Sequence, residues 1–239
     1  MNRMKSTGGR AGWAGMVALA ALSMVAGCGN DRNTAEGRQA IAMAFQQVRA
    51  KLAPGKGNGA KPAAPDPERL ALSAMKTVKG SILIAQIESS GTVSALGEIG
   101  SNRGLRTYAT PNEQSLTLKD GILVATRGLG NDLMSADADA AIRLIRSRSA
   151  GSAKRTYRYL DGEGIERPLP MDCVTATAAP QEIVFAGSRH STLSVGEACT
   201  YGTLKVTNAY WVTGDGTVVL SRQWIGPGLG YVTIQLVRR

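Results

Sequence analysis

The chain has 239 residues, 43% of them hydrophobic and 19% charged, enough for one ordinary domain or two small ones. Lysine and arginine outnumber the acids, 28 to 18, for a net charge of +10. A single histidine, His190, and three cysteines argue against a His/Cys zinc site, and no long repeat points to a solenoid or propeller.

Arg3, Lys5 and Arg10 are followed by residues 11–22 (AGWAGMVALAAL), which carry no charge. This is a positive n-region ahead of an apolar stretch too short to span a bilayer as a permanent helix. Val25-Ala26-Gly27-Cys28 comes next, a branched apolar residue and two small ones before a cysteine. A narrow, extended backbone presents such a thiol to a diacylglyceryl donor, and a peptidase then cuts before the cysteine. Residues 1–27 therefore read as a lipoprotein signal peptide and Cys28 as the lipidation site. The plain alternative is an ordinary leader or an uncleaved anchor with Cys28 incidental. Each buried acyl methylene contributes about 0.8 kcal/mol, so several palmitate-length chains would hold the protein on its membrane. Gly29 stands where an aspartate would resemble the inner-membrane retention signal of enteric bacteria. Its identity favours the periplasmic face of the outer membrane. Losing residues 1–27 removes three positive charges and no acid, which leaves about +7 of the +10. A basic surface steers anionic polysaccharide or lipid headgroups; spare solvated lysines and arginines are the bland reading.

Along the chain, Asn33 and Glu36 form a capping pair, and Ile41, Phe45, Val48 and Leu52 recur at helical spacing until Pro54-Gly55. Residues 28–53 are thus expected to be a lipidated N-terminus and an amphipathic helix. Residues 54–67 (PGKGNGAKPAAPDP) bury too little apolar surface to offset ordering and read as a flexible linker. Asp66 and Pro67 suit the cap and first turn of a short helix to Met75.

From Ser81 onward the pattern is of strands. Residues 82–87 (ILIAQI), 104–110 and 115–118 look extended, and Lys119-Asp120-Gly121 turns into Ile122–Thr126. Residues 136–147 are the main helical interruption. Strand signals resume at 155–160, 166–177, 182–186, 192–198, 203–212, 217–224 and 231–237. Asp161-Gly162, Gly187-Ser188 and Asp215-Gly216 punctuate them. Residues 68–239 are therefore expected to be mainly β: an antiparallel barrel-like or sandwich domain, with an N-terminal helix and a short helical insertion. Cys173 and Cys199, an even pair in an oxidising compartment, read as a disulfide, against two buried free thiols.

The stretch 208–227 (NAYWVTGDGTVVLSRQWIGP) is the richest in side-chain chemistry. As a hairpin it places Trp211 with Val218, Leu220, Arg222 and Trp224 on one face. Val206, Asn208 and Tyr210 share the other with Ser221, Gln223 and Ile225. Asn208, Ser221 and Gln223 fit one hydrogen-bonded network. Arg222 beside Trp211 and Trp224 fits a cation–π contact or a stacking surface for sugar rings. Tyr210, Trp211, Arg222, Gln223 and Trp224 are thus the candidate contacts for polysaccharide or a partner, against a purely structural packing role.

Asn208-Ala209-Tyr210-Trp211, Gly216, Ser221-Arg222-Gln223 and Gly226-Pro227 resemble the C-terminal signature of the YjbF/GfcB family, the group 4 capsule polysaccharide lipoproteins. Residues 118–134 (LKDGILVATRGLGNDLM) are similar to its central block, and Cys28 falls at the family's lipobox. The resemblance spans about residues 66–239. It implies a largely β, barrel-like domain at the outer membrane, encoded beside machinery for exopolysaccharide or capsule production, and it carries no catalytic residue. The 54–67 linker departs from the family pattern.

Within the central block, Gly128-Leu129-Gly130 permits a tight turn of positive φ. It lacks the lysine and strand–loop–helix spacing of a phosphate loop. His190 sits in the polar segment Ser188–Ser191 and is expected to be a surface turn rather than a triad member. Asp137/Asp139 and Glu163/Glu166 are the carboxylate pairs a glycosidase would need, and solvated loop positions are the plainer account. Lys154–Tyr159 (KRTYRY) interleaves bases and aromatics. A solvated strand face or an acidic-sugar contact is expected there, and no nucleic-acid role. The expectation is a non-enzymatic lipoprotein without cofactor or metal that assists exopolysaccharide assembly or export. It would meet the membrane through its anchor, anionic polymer and export proteins through its β surface. The rivals are a periplasmic polysaccharide-modifying enzyme and a structural envelope partner without sugar contact.

Overall fold

Asp66 and Pro67 open the first helix of this computed structural model, which describes residues 65–239. The expected signal peptide, Cys28, the helix within 28–53 and the linker as far as residue 64 lie outside the described residues. Helix α1 (Pro67–Thr77) starts with the Asp66 carboxylate accepting the Glu68 N–H at 3.0 Å, and proline occupies the first turn. Its Leu70, Ala71 and Ala74 are buried and pack on Ile82, Ile84, Val93, Ala95 and Val237.

Twelve strands follow: β1 (Ile82–Ile87), β2 (Thr92–Asn102), β3 (Leu105–Ala109), β4 (Ser115–Lys119), β5 (Ile122–Arg127) and β6 (Ser135–Asp137). After helix α2 (Asp139–Arg146) come β7 (Gly151–Leu160), β8 (Glu166–Phe185), β9 (Ser188–Tyr201), β10 (Leu204–Thr213), β11 (Val218–Gly226) and β12 (Gly230–Arg238). They form one sheet in the order β5-β4-β3-β2-β1-β12-β11-β10-β9-β8-β7-β6, antiparallel throughout, curled into a nearly closed barrel. β1 is apolar from Ile82 to Ala85 because both faces of that stretch are covered. Ile82 and Ile84 meet α1, while Leu83 and Ala85 point into the barrel core.

Among the described residues only one strand connection does not link hydrogen-bonded neighbours, the loop from β5 to β6, and those two strands are the edges of the sheet. The loop brings the edges together. The Thr126 N–H donates to the Leu133 carbonyl at 2.9 Å across the gap, and Asp132 accepts the N–H groups of Gly128 and Leu129 at 2.9 and 3.2 Å. Gly128 and Gly130 take the positive φ the turn needs, +76° and +95°. Closing the edges removes an exposed template for wrong pairing.

Residues 92–102, which carry no clear strand signal, form a full strand, β2, and three expectations need correction. Segments 166–177 and 182–186 are one strand, because a register shift between Thr177 and Pro180 absorbs the proline and pairing with β9 resumes beyond it. Residues 135–137 pair with β7, so the helical insertion starts only at Asp139. His190 lies in β9 opposite Ile183, since the turn itself is Ala186-Gly187.

Candidate functional site

Strand β7 alternates Ala153, Arg155 and Tyr157 inward with Lys154 and Arg158 outward, as a strand with one buried face must. Arg155 and Tyr157 are buried, so the expected solvated face of Lys154–Tyr159 is only its outward half. Inside, the Arg155 guanidinium donates from Nη1 to Glu197 Oε2 at 3.0 Å. The same oxygen accepts Asn208 Nδ2 at 2.8 Å and the Tyr210 hydroxyl at 2.9 Å. Both side chains of the ion pair are 0% exposed. Arg155 also lies over the Tyr157 ring, 4.7 Å from its centre.

A second cluster adjoins it. Gln223 donates to Ser221 Oγ at 2.9 Å and to the Gly121 carbonyl at 3.1 Å, and its Oε1 accepts the Leu123 N–H at 2.8 Å. Arg155 Nη2 donates to the Leu123 carbonyl at 3.0 Å. Asn208 belongs with Glu197 instead, and its Oδ1 accepts the Trp224 N–H at 2.8 Å. The single network expected of Asn208, Ser221 and Gln223 is therefore two.

Burial dominates the electrostatics here. It pushes the Tyr210 hydroxyl well above the usual tyrosine range, with the Glu197 charge adding to the effect. It raises Tyr157 as well, against the opposing pull of Arg155. Glu197 Oε1 and Arg155 Nε have no hydrogen-bond partner among the described residues. A charge pair this enclosed, with one oxygen already taken by three donors, holds strands together and is out of reach of a polymer.

Of the five candidate contacts, Tyr210 and Gln223 are 0% exposed and Trp224 is 5% exposed. Trp224 meets Tyr157 edge-to-face, 5.2 Å between centres. These three are core residues, which corrects the expected contact face. Trp211 and Arg222 remain partly exposed. The Trp211 indole N–H donates to Gln181 at 2.7 Å. Arg222 stacks over Tyr231 at 3.5 Å, not over a tryptophan, and grips the Glu88 carboxylate through Nε and Nη2 at 2.8 and 2.7 Å. Its charge is matched by Glu88 through these two short hydrogen bonds, and the expected stack on Trp211 and Trp224 is replaced by the one on Tyr231.

Cys173 and Cys199 are direct cross-strand partners in β8 and β9 and form a disulfide, S–S 2.02 Å, buried in the core. With Glu197 they are close enough to hold a metal ion as thiolates, but the disulfide takes both sulfurs. The carboxylates considered for catalysis lie outside: Asp139 pairs with Lys119 at 2.6 Å and Glu166 with Arg158 at 3.6 Å, while Asp137 and Glu163 are exposed. Sequence reasoning missed Glu197. Its signal was the alternation Val195, Glu197, Cys199 on one strand face.

A structure of the hypothetical lipoprotein YmcC from Escherichia coli is similar, at TM-score 0.61 and 16% identity over 71% of this chain and 89% of that one. It shows the same fold. A putative exported protein with a YmcC-like fold from Bacteroides fragilis aligns at TM-score 0.25 and 10% identity, over 67% of this chain and 95% of that one. No curated protein matches the chain. The family model described as group 4 capsule polysaccharide lipoprotein gfcB, YjbF matches residues 38–237. The chain belongs to that family of capsule polysaccharide-associated lipoproteins.

Proposed function

We propose that this protein is lipidated on Cys28, sits on the periplasmic face of the outer membrane, and assists assembly or export of an exopolysaccharide by binding rather than catalysis. Its family membership over residues 38–237 carries the reading. The lipobox and the basic charge left after residue 27 agree with it. The buried Arg155–Glu197 pair, the most enclosed ionic group described, is engaged in holding strands, which favours a binding role over chemistry. Export proteins and acidic polymer are the expected partners.

Deletion of the gene in its own host tests this. Surface polymer should fall, wild type should restore it, and Cys28→Ala should take up no labelled palmitate and fail to restore it. Normal surface polymer in the deletion strain would overturn the reading; normal palmitate labelling of the variant would overturn the anchor.

A further inference from the structure

We propose that one end of the barrel is a binding site for a carboxylated sugar unit, an assignment that rests on the polysaccharide reading above. The β2–β3, β4–β5 and β10–β11 turns gather at this end with the last turn of α2. A cavity of about 420 Å3 opens among them, within the range of about 300–1,000 Å3 usual for small-molecule sites. Its inner wall is the barrel interior, where Leu83, Leu118 and Ile234 offer an apolar surface, and the Tyr108 and Ser221 hydroxyls on that wall are held by Ser81 and Gln223. That combination suits a sugar ring, which has apolar C–H faces and polar edges.

The rim gives the charge. Arg103, Arg106, Arg146 and Arg239 line the cavity against one lining carboxylate, Asp120. The cavity at the opposite end, about 180 Å3, has no charged residue in its lining and is walled by Ile87, Leu96, Leu116, Leu129 and Leu229. The contrast decides which end receives an anion. Arg146 pairs with Asp120 at 3.3 Å, Arg106 with Glu98 at 3.6 Å and Arg239 with Asp215 at 3.7 Å. These arginines are 41–58% exposed and their ion-pair contacts run from 3.3 to 3.7 Å, while Arg146 also donates to the Gly216 carbonyl at 3.2 Å and Arg239 to the Thr217 hydroxyl. Exposed pairs of that kind are worth little, so an incoming carboxylate can replace the protein's own. Arg103, at the tip of the β2–β3 turn, has no ion-pair partner among the described residues. A guanidinium fork binds a carboxylate through two parallel N–H donors, and Ser101 and Asn102 stand nearby for ring hydroxyls.

The test titrates the full mature lipoprotein in detergent with tetragalacturonate and with neutral maltotetraose, by calorimetry at low salt. Wild type should bind the uronate and prefer it to the neutral sugar. Arg103→Gln with Arg239→Gln should weaken uronate binding at least about tenfold, the loss expected for charge-assisted hydrogen bonds, at an unchanged thermal midpoint. Lys154→Gln with Arg189→Gln removes equal charge from exposed positions elsewhere and should leave affinity unchanged. No binding by wild type, equal losses in both double variants, or full binding by the rim variant would each overturn the site. Displacement of the uronate by anionic phospholipid vesicles would make it a headgroup site and overturn the sugar assignment. A rim variant that has lost uronate binding yet restores surface polymer would overturn the site's part in assembly or export, whereas normal surface polymer in the deletion strain itself would overturn the polysaccharide reading beneath it.

Discussion

Arg155 of β7 and Gln223 of β11 hold the two backbone groups of one residue, Leu123 of β5. Arg155 donates to its carbonyl at 3.0 Å and Gln223 accepts its N–H at 2.8 Å. β5 is an edge of the sheet, so these bonds occupy backbone groups that no neighbouring strand takes. The stretches that carry the family resemblance, 118–134 and 208–227, meet at this seam. Their chemistry closes the barrel.

Gln223→Leu removes the acceptor for the Leu123 N–H and the donor to the Gly121 carbonyl. Leaving such groups buried and unpaired should cost about 1–3 kcal/mol. Urea unfolding measures the loss, and hydrogen exchange should accelerate at the Leu123 amide. Wild-type stability with unchanged exchange would mean that the seam is held by other contacts.

The disulfide links β8 to β9 across a sequence separation of 26 residues. Removing it by Cys199→Ala should lower stability by about 3–4 kcal/mol on the chain-entropy account. Alkylation of the unreduced, denatured protein should modify neither Cys173 nor Cys199. Full labelling of both would show two free thiols.

Much of this fold is legible in the sequence, for identifiable reasons. Asp66-Pro67 is a cap by side-chain chemistry alone, and Lys119-Asp120-Gly121 marks a hairpin whose turn residues take φ of +53° and +86°. β2 escaped because Gly97, Glu98 and Gly100 interrupt its apolar alternation, although Val93, Ala95 and Leu96 are buried. The long β8 escaped because Pro180 reads as a break, while the bulge that accommodates it depends on pairing with β9. The candidate contact face was misread for a related reason. Alternation places Tyr210 and Gln223 together, but only the closed barrel shows that their shared face is interior. Arg155 looks like a surface charge until β9 brings Glu197 beside it.

Two buried tyrosines and one partly buried one set an alkaline limit. Tyr157, Tyr159 and Tyr210 have hydroxyls raised above the ordinary tyrosine value, chiefly by burial. A raised folded value means that the unfolded chain loses these protons first. Their contribution to stability is therefore present in full below about pH 10, the unperturbed value, and is lost as pH rises above it. Tyrosinate absorbance from these three residues should appear together with unfolding, followed by circular dichroism. Their ionisation near pH 10 with the fold intact would contradict the enclosed network.

On the reading proposed above, the buried Arg155–Glu197 pair serves structure: it ties β7 to β9 and, through the Leu123 carbonyl, to β5. Arg155→Met alone strands the Glu197 carboxylate, and breaking a buried pair this way costs about 3–5 kcal/mol. Adding Glu197→Gln keeps an oxygen for Asn208 and Tyr210 while removing the second charge, so the double variant should recover the part of that loss due to the stranded charge and keep only the cost of the unpaired Leu123 carbonyl, about 1–3 kcal/mol. The direct measurement is surface polymer in the deletion strain carrying the double variant, with its thermal midpoint and cellular level checked beside wild type. A stable, normally expressed double variant should restore wild-type surface polymer. A double variant that is equally stable and abundant yet restores none would contradict the account and make the pair part of the protein's chemistry.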